Sequence, residues 1–125
     1  GVIEKNLGRL VKKEKITEDD AKATLGRLTP ATDLKAAADS DLVIEAVFEN
    51  MDLKKKVLGD LDKVLPPHAI LASNTSTLSL TELSSVTSRP EKVIGLHFFS
   101  PAHIMRLLEI VRAMSEEERA AVIAT

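Results

Sequence analysis

DLVIEAVFENMDLKKKVLGDLDKVLPPHAILASNTST, residues 41–77, alternates a short apolar run with a longer amphipathic one, and that rhythm decides the fold. Short branched runs separated by helical stripes are the pattern of successive βα units on a parallel sheet. Residues 41–48 read as a buried strand. Asn50 is placed to cap the helix that follows, whose stripe is Leu53, Val57, Leu61, Val64 and Leu65 and whose end is fixed by Pro66 and Pro67. Residues 69–72 form the next strand, and SNTST a polar turn. Downstream, Ser79 with Glu82 predicts a capping box and another helix, residues 93–99 a third strand and residues 107–111 a fourth. Ser115 with Glu118 caps a terminal helix running to the chain end. Upstream, Ile3, Leu7, Leu10 and Val11 share a helical face that starts without a capping side chain. A second helix begins at the Thr17/Asp20 box, carries Ala21, Leu25 and Leu28 on one face and stops before Pro30, so the two form a hairpin. No repeat or linker marks a domain boundary, and the chain reads as one α/β sandwich.

The 125 residues are enough for one core and hardly two, and 44% hydrophobic with 29% charged residues is the balance of a water-soluble globular chain. Seventeen basic against nineteen acidic residues leave a net charge of −2, which argues against a nucleic-acid partner. Three Phe with no Tyr or Trp offer no stacking platform for bases. No apolar run approaches the ~20 residues of a membrane span, and no signal-peptide pattern opens the chain. The absence of Cys removes disulfides, thiolate metal ligands and cysteine nucleophiles, and fits a reducing, cytoplasmic setting.

In an open α/β sheet ligands bind beyond the carboxyl ends of the strands. Those ends carry Glu49 and Asn50, then Ser73, Asn74, Thr75 and Ser76, then His97. Each has a bland reading as cap or turn residue. His97 gains weight from Glu109: if residues 93–99 and 107–111 pair antiparallel about a loop centred on His103, the two face each other. The carboxylate then holds one ring nitrogen as N–H and leaves the other to take a proton from a substrate hydroxyl; the competing reading is a core histidine satisfied by a structural acid. His68 and His103 have no such partner and read as surface residues, and the three histidines are too scattered for a metal site. The lysine clusters around Lys12 and Lys54 read as solvated helix faces, although a lysine just past a strand end can contact phosphate. No two of the five glycines stand two residues apart, so the phosphate-cradling G-x-G-x-x-G loop is absent from this sequence.

Three motifs, DLVIEAVFEN, ILASNTSTLSLTEL and VIGLHFFSPAHIMRLLEIV, in this order and spacing, resemble the second half of the NAD-binding domain of L-3-hydroxyacyl-CoA dehydrogenase. The likeness runs from the opening helical hairpin to Arg112. HFFSPAH, with Ser100 where many single-function members have Asn, is similar to the multifunctional fatty-acid oxidation enzymes. The resemblance implies a partial Rossmann-like fold, mostly parallel, lacking the first βαβ unit. It implies that His97 is the catalytic base, Glu109 its partner and Ser76 the residue that hydrogen-bonds the substrate oxygen. Ala46, Glu49, Lys54 and Asn74 match positions lining the NAD site. The implied reaction in β-oxidation is 3-hydroxyacyl-CoA to 3-ketoacyl-CoA, with NAD as cofactor.

By the same resemblance, residues 1–125 correspond to the C-terminal portion of a dinucleotide-binding domain. The glycine-rich half and a C-terminal helical domain lie outside it, and the expectation is a fragment inactive alone that self-associates through an exposed sheet edge. Two other readings stay open at this point: a dehydrogenase of another 3-hydroxy compound, and a non-catalytic packing or oligomerisation module.

Overall fold

The computed structural model describes residues 1–115, 117, 118 and 121. The chain divides into two compact units, residues 1–32 and 33–125, a boundary that the sequence analysis did not anticipate.

The first unit is the helical hairpin. Helix α1 (Val2–Lys12) follows Gly1, which has no side chain to cap it, and α2 (Glu18–Gly26) follows Thr17, whose hydroxyl accepts from the Asp20 amide while the Asp20 carboxylate accepts from Thr17 N–H. Between them Glu14 takes a positive φ of 54°, and its amide and that of Lys15 return to the Val11 and Leu10 carbonyls, satisfying the helix end without a glycine. Neither helix buries a residue, as two short helices alone cannot enclose a core. Helix α2 ends before Leu28, which is exposed and off the expected face.

The second unit is a four-stranded sheet in the order β1-β2-β3-β4, with β1 (Leu42–Glu45), β2 (Ile70–Ser73), β3 (Val93–Phe98) and β4 (Leu108–Arg112). The first three strands are parallel and β4 is antiparallel to β3. Helices α3 (Met51–Val64) and α4 (Leu80–Ser84) lie on one face, where Leu58, Leu61 and Leu65 meet Leu71, Leu83 and Val93 in the core. Strand β1 is shorter than expected: it stops at Glu45 because the Glu45 carboxylate itself takes the Val47 N–H that would continue a ladder. Strands β2 and β4 sit one residue later than expected at each end, and β3 one residue shorter.

Asn50 caps α3 by accepting from the Leu53 amide, as expected. The buried stripe of α3 differs, because Lys54, Leu58 and Leu61 point inward while Leu53 and Val57 are only half-buried. The Ser79 cap on α4 holds, but Glu82 does not close the box; its carboxylate turns to Lys55 instead. Two short 3-10 turns, residues 34–37 and 90–92, had no counterpart in the sequence reading. The expected terminal helix lies largely outside the described residues, although Ser115 and Glu118 form a reciprocal cap.

The carboxyl end of α3 is closed by Arg89, a residue without local signal. Its guanidinium pairs with Asp62 at 2.7 Å and donates to the carbonyls of Asp62, Leu65, Pro66 and Ala69, which are the orphan acceptors of the helix end and the turn after it. Burial pushes the Asp62 carboxyl upward, but the Ser88 amide and Arg89 outweigh it and hold it below the usual range. Arg89→Met removes the cation from a nearly buried pair and leaves these carbonyls bare, so it is expected to cost about 3–5 kcal/mol. A fall in the urea midpoint at unchanged slope checks this.

Candidate active site

The site is built where β1, β2 and β3 end. His97 and Glu109 face each other in the β3–β4 ladder, as expected, and the imidazole Nδ1 lies 2.8 Å from Glu109 Oε2. Register forces this, since opposite residues of an antiparallel pair share a face. Gly95, two residues earlier on that face, packs under α4: a Cβ there would lie 2.6 Å from Leu80 Cδ1. His97 stands just past that covered part of the sheet. Its side chain is 39% exposed and that of Glu109 55%, so the pair opens to solvent. The ring leans on Phe99, with centroids 4.8 Å apart, and Nε2 has no protein partner among the described residues. A carboxylate on one nitrogen fixes the tautomer and leaves the other free to exchange a proton.

The ends of β1 and β2 carry a second constellation. Glu45 Oε1 accepts from Lys54 Nζ at 2.8 Å and from Val47 N–H at 2.6 Å, and Oε2 accepts from Ser73 Oγ at 2.6 Å. Lys54 also donates to the Val47 carbonyl and stands 3.7 Å from Glu49 Oε2. Lys54 is 1% exposed, which corrects its reading as part of a solvated face; a buried cation needs a paired anion, and Glu45 supplies it. Lys55 and Lys56 keep the solvated role, bound to Glu82 and Asp60.

Glu49 accepts from the hydroxyls of Thr75 and Thr77, so the two strand-end loops are tied together. The Thr75 hydroxyl holds the Glu49 carboxyl below the usual carboxylate range, with Lys54 and Thr77 adding to the effect and burial opposing it. Ala46, Asn74 and Ser76 are exposed, and the side chains of Asn74 and Ser76 have no hydrogen-bond partner among the described residues. Thus Glu49 and Asn74 stand exposed at neighbouring strand ends, with the buried Lys54 3.7 Å behind Glu49. His97 and Glu109 meet in a pair at the adjoining strand end, and Ser76 touches neither.

Sequence reasoning named Ser73 and Thr75 among the polar strand ends but passed over Glu45, the acid that Ser73 serves. A lone acid inside the apolar run LVIEAV was the available signal for Glu45, because an inward-facing strand position tolerates a carboxylate only with partners. His68 also differs from expectation: its Nε2 lies 2.7 Å from Asp41 Oδ1, both groups well exposed at the opposite, amino end of β1 and β2.

The family model described as 3-hydroxyacyl-CoA dehydrogenase, NAD binding domain, matches residues 1–125. The chain belongs to this family. A probable 3-hydroxybutyryl-CoA dehydrogenase of Bacillus subtilis (strain 168) is 43% identical over 119 residues, covering 95% of this chain and 42% of the relative. A glyoxysomal fatty acid beta-oxidation multifunctional protein of Brassica napus is 46% identical over 112 residues, 90% of this chain and 15% of the relative. The crystal structure of (S)-3-hydroxybutyryl-CoA dehydrogenase from Ralstonia eutropha superposes with a TM-score of 0.85 at 44% identity, over 96% of this chain and 43% of that one. The chain therefore spans less than half the length of these relatives. Family membership brings NAD as the cofactor of the domain and an α/β sheet of the Rossmann type. Among the described residues no helix is long and apolar enough to cross a membrane.

The donor set suits the nicotinamide–ribose end of that cofactor, whose ring is cationic when oxidised. Asn74 and Ser76 offer neutral hydrogen-bonding groups beside the small Ala46, Glu49 offers an acceptor for sugar hydroxyls, and the one nearby cation is already neutralised. This is the lining expected around a nicotinamide and its ribose, not around a pyrophosphate.

The lowered Glu49 pKa has a testable sign. A carboxyl depressed in the folded state stabilises the fold above its unfolded pKa, and that contribution is lost as pH falls through the folded value. Thr75→Val removes the leading cause, so the Glu49 titration followed by carbonyl NMR is expected to move up toward the ordinary value. An unmoved midpoint assigns the depression elsewhere.

Proposed function

We propose that this chain is the catalytic-base half of the dinucleotide-binding domain of an NAD-dependent enzyme that oxidises L-3-hydroxyacyl-CoA to 3-ketoacyl-CoA. The observation that carries the reading is the 2.8 Å His97–Glu109 contact at the carboxyl end of β3, with Nε2 left free. In this reading His97 is the base, Glu109 orients and electrostatically supports it, and Ser76 donates to the substrate oxygen. Ala46, Glu49 and Asn74 line the cofactor crevice, and Lys54 supports it from behind Glu49. Two relatives named 3-hydroxybutyryl-CoA dehydrogenases and one named a fatty acid beta-oxidation protein support the substrate class. A glycine-rich phosphate loop and a C-terminal helical domain belong to the full-length protein outside residues 1–125, in keeping with the share of each relative that the chain spans. A cysteine-free chain is in keeping with a reducing, cytoplasmic setting.

Mechanistically, the residues of this chain position and deprotonate. Glu109 accepts from Nδ1–H and so holds the imidazole with its Nε2 lone pair outward. Nε2 takes the proton of the substrate's 3-hydroxyl, and the imidazolium that results is stabilised by the facing carboxylate. Ser76 orients the same oxygen through the reaction, and Asn74 and Glu49 would hold the cofactor's polar groups. When bound, NAD supplies the hydride acceptor.

The test is made on the full-length protein, with acetoacetyl-CoA and NADH in one arm and free 3-hydroxy acids with NAD in the other. Turnover of the thioester and not of the free acids is expected. Preference for the free acids transfers the site to a dehydrogenase of another 3-hydroxy compound. His97→Gln is expected to lower turnover at least ~10²-fold with cofactor affinity nearly unchanged, and near-normal turnover removes the base from the mechanism.

One observation favours the packing-module alternative. Strand β1 pairs on a single side, and Leu42 and Ile44 are 47% and 44% exposed on it, so self-association of the isolated chain through that edge belongs to the proposal. Sedimentation of the isolated chain as a concentration-independent monomer would remove it.

A further inference from the structure

Glu45 is completely buried and lies outside the roles assigned above, yet more contacts of the crevice converge on it than on any lining residue. Its Oε1 takes Lys54 Nζ from the first turn of α3 and Val47 N–H from the loop after β1. Its Oε2 takes the Ser73 hydroxyl from the end of β2. Its own backbone carbonyl takes the Asn74 amide at 2.8 Å. Ala46 and Asn74 are therefore each held next to an atom fixed by Glu45, Lys54 is held by it directly, and Glu49 is reached through Lys54.

Core stability does not account for this arrangement. Replacing a buried ion pair by apolar side chains of similar volume is commonly neutral or stabilising, so a Leu–Met pair here would serve packing as well. What apolar residues cannot do is accept from three donors on three chain segments at once and so fix a loop, an adjacent strand end and a helix start in one geometry. We infer that Glu45 is a positioning residue for the cofactor crevice: its buried carboxylate sets the 46–50 loop and Lys54 in the conformation that receives the nicotinamide half of NAD. The inference rests on the crevice reading of the preceding subsection and adds to it a residue that touches neither cofactor nor substrate.

Glu45→Gln keeps the shape and can still accept from Ser73 or Val47, but it no longer neutralises Lys54. In the full-length protein the variant is expected to raise the KM for NAD, and the NADH dissociation constant read by nicotinamide fluorescence, about tenfold, the worth of one hydrogen bond to a charged group. The KM for the acyl thioester and kcat at saturating NAD are expected to change no more than about twofold, since the base and its partner are on other strands. Amide hydrogen exchange at Val47 is expected to speed up in the absence of any ligand. Ser73→Ala removes a single hydroxyl donor to the carboxylate and buries no unpaired charge, so it folds even where Glu45→Gln does not, and about a threefold weaker NADH affinity is expected of it. Unchanged NADH affinity in Ser73→Ala with unchanged Val47 exchange overturns the inference, as does a Glu45→Gln protein in which kcat and both KM values worsen together with loss of folded material. If the parent binds NADH but does not turn over the thioester, the function reading fails and Glu45 is still judged by the binding and exchange arms. If the parent binds no NADH, both fall.

Discussion

The register of β4 on β3 is the constraint on which the rest of the site depends. Side chains alternate between faces with a period of two, so a one-residue slip of β4 would send Glu109 to the far face and leave His97 opposite an apolar residue. The ladder is pinned by the residues beside the pair. Gly95 faces Val111, and with no side chain of its own it admits both Val111, whose Cβ would lie 3.3 Å from an added Cβ, and Leu80 of α4. A larger residue at position 95 would displace the tip of the Leu80 side chain and crowd Val111 on the facing strand. A packing requirement two residues away thus bears on the geometry of the His97–Glu109 pair.

A second constraint is that buried charge must be matched, and here it fastens α3 at both ends. Lys54 in the first turn is neutralised by Glu45 on β1; beyond the last turn, Arg89 caps the open carbonyls and pairs with Asp62. Between them Leu58, Leu61 and Leu65 supply the non-directional burial. Apolar contact alone would hold the helix on the sheet and still let it slide, because leucines at helical spacing meet a sheet almost equally well one step along. The two charge clusters remove that freedom, and with it the freedom of the loop that begins at Ala46.

How far these features could be read from sequence follows from whether their cause is local. Strand identities came from β-branched runs, and the bounds of α3 from Asn50 and Pro66, each a signal within a few residues of its effect. The antiparallel His97–Glu109 pairing was readable because a loop of known length fixes a register. The buried stripe of α3 was misplaced because Lys54 counts as polar in any periodic pattern, which shifted the expected face toward Leu53 and Val57; its partner nine residues upstream is a tertiary fact. Arg89 was silent for the same reason, since its acceptors lie 20 to 27 residues away in sequence. The early end of β1 belongs here too: a side-chain acceptor captured the Val47 amide, and propensity does not register such competition.

Energetics separate the two acid–base pairs of the crevice by what each is suited to do. His97 and Glu109 are partly exposed, and ion pairs in such settings contribute only about 0–1 kcal/mol to stability. Little fold stability is at stake there, so altering that pair leaves the strands that carry it in place. Glu45 and Lys54 are the reverse case. Both are enclosed, and removing one charge strands the other in a dry interior, so the pair and the shape of the loop stand or fall together. The sheet carries one open and one closed pair because β1 ends inside the core and β3 ends outside it.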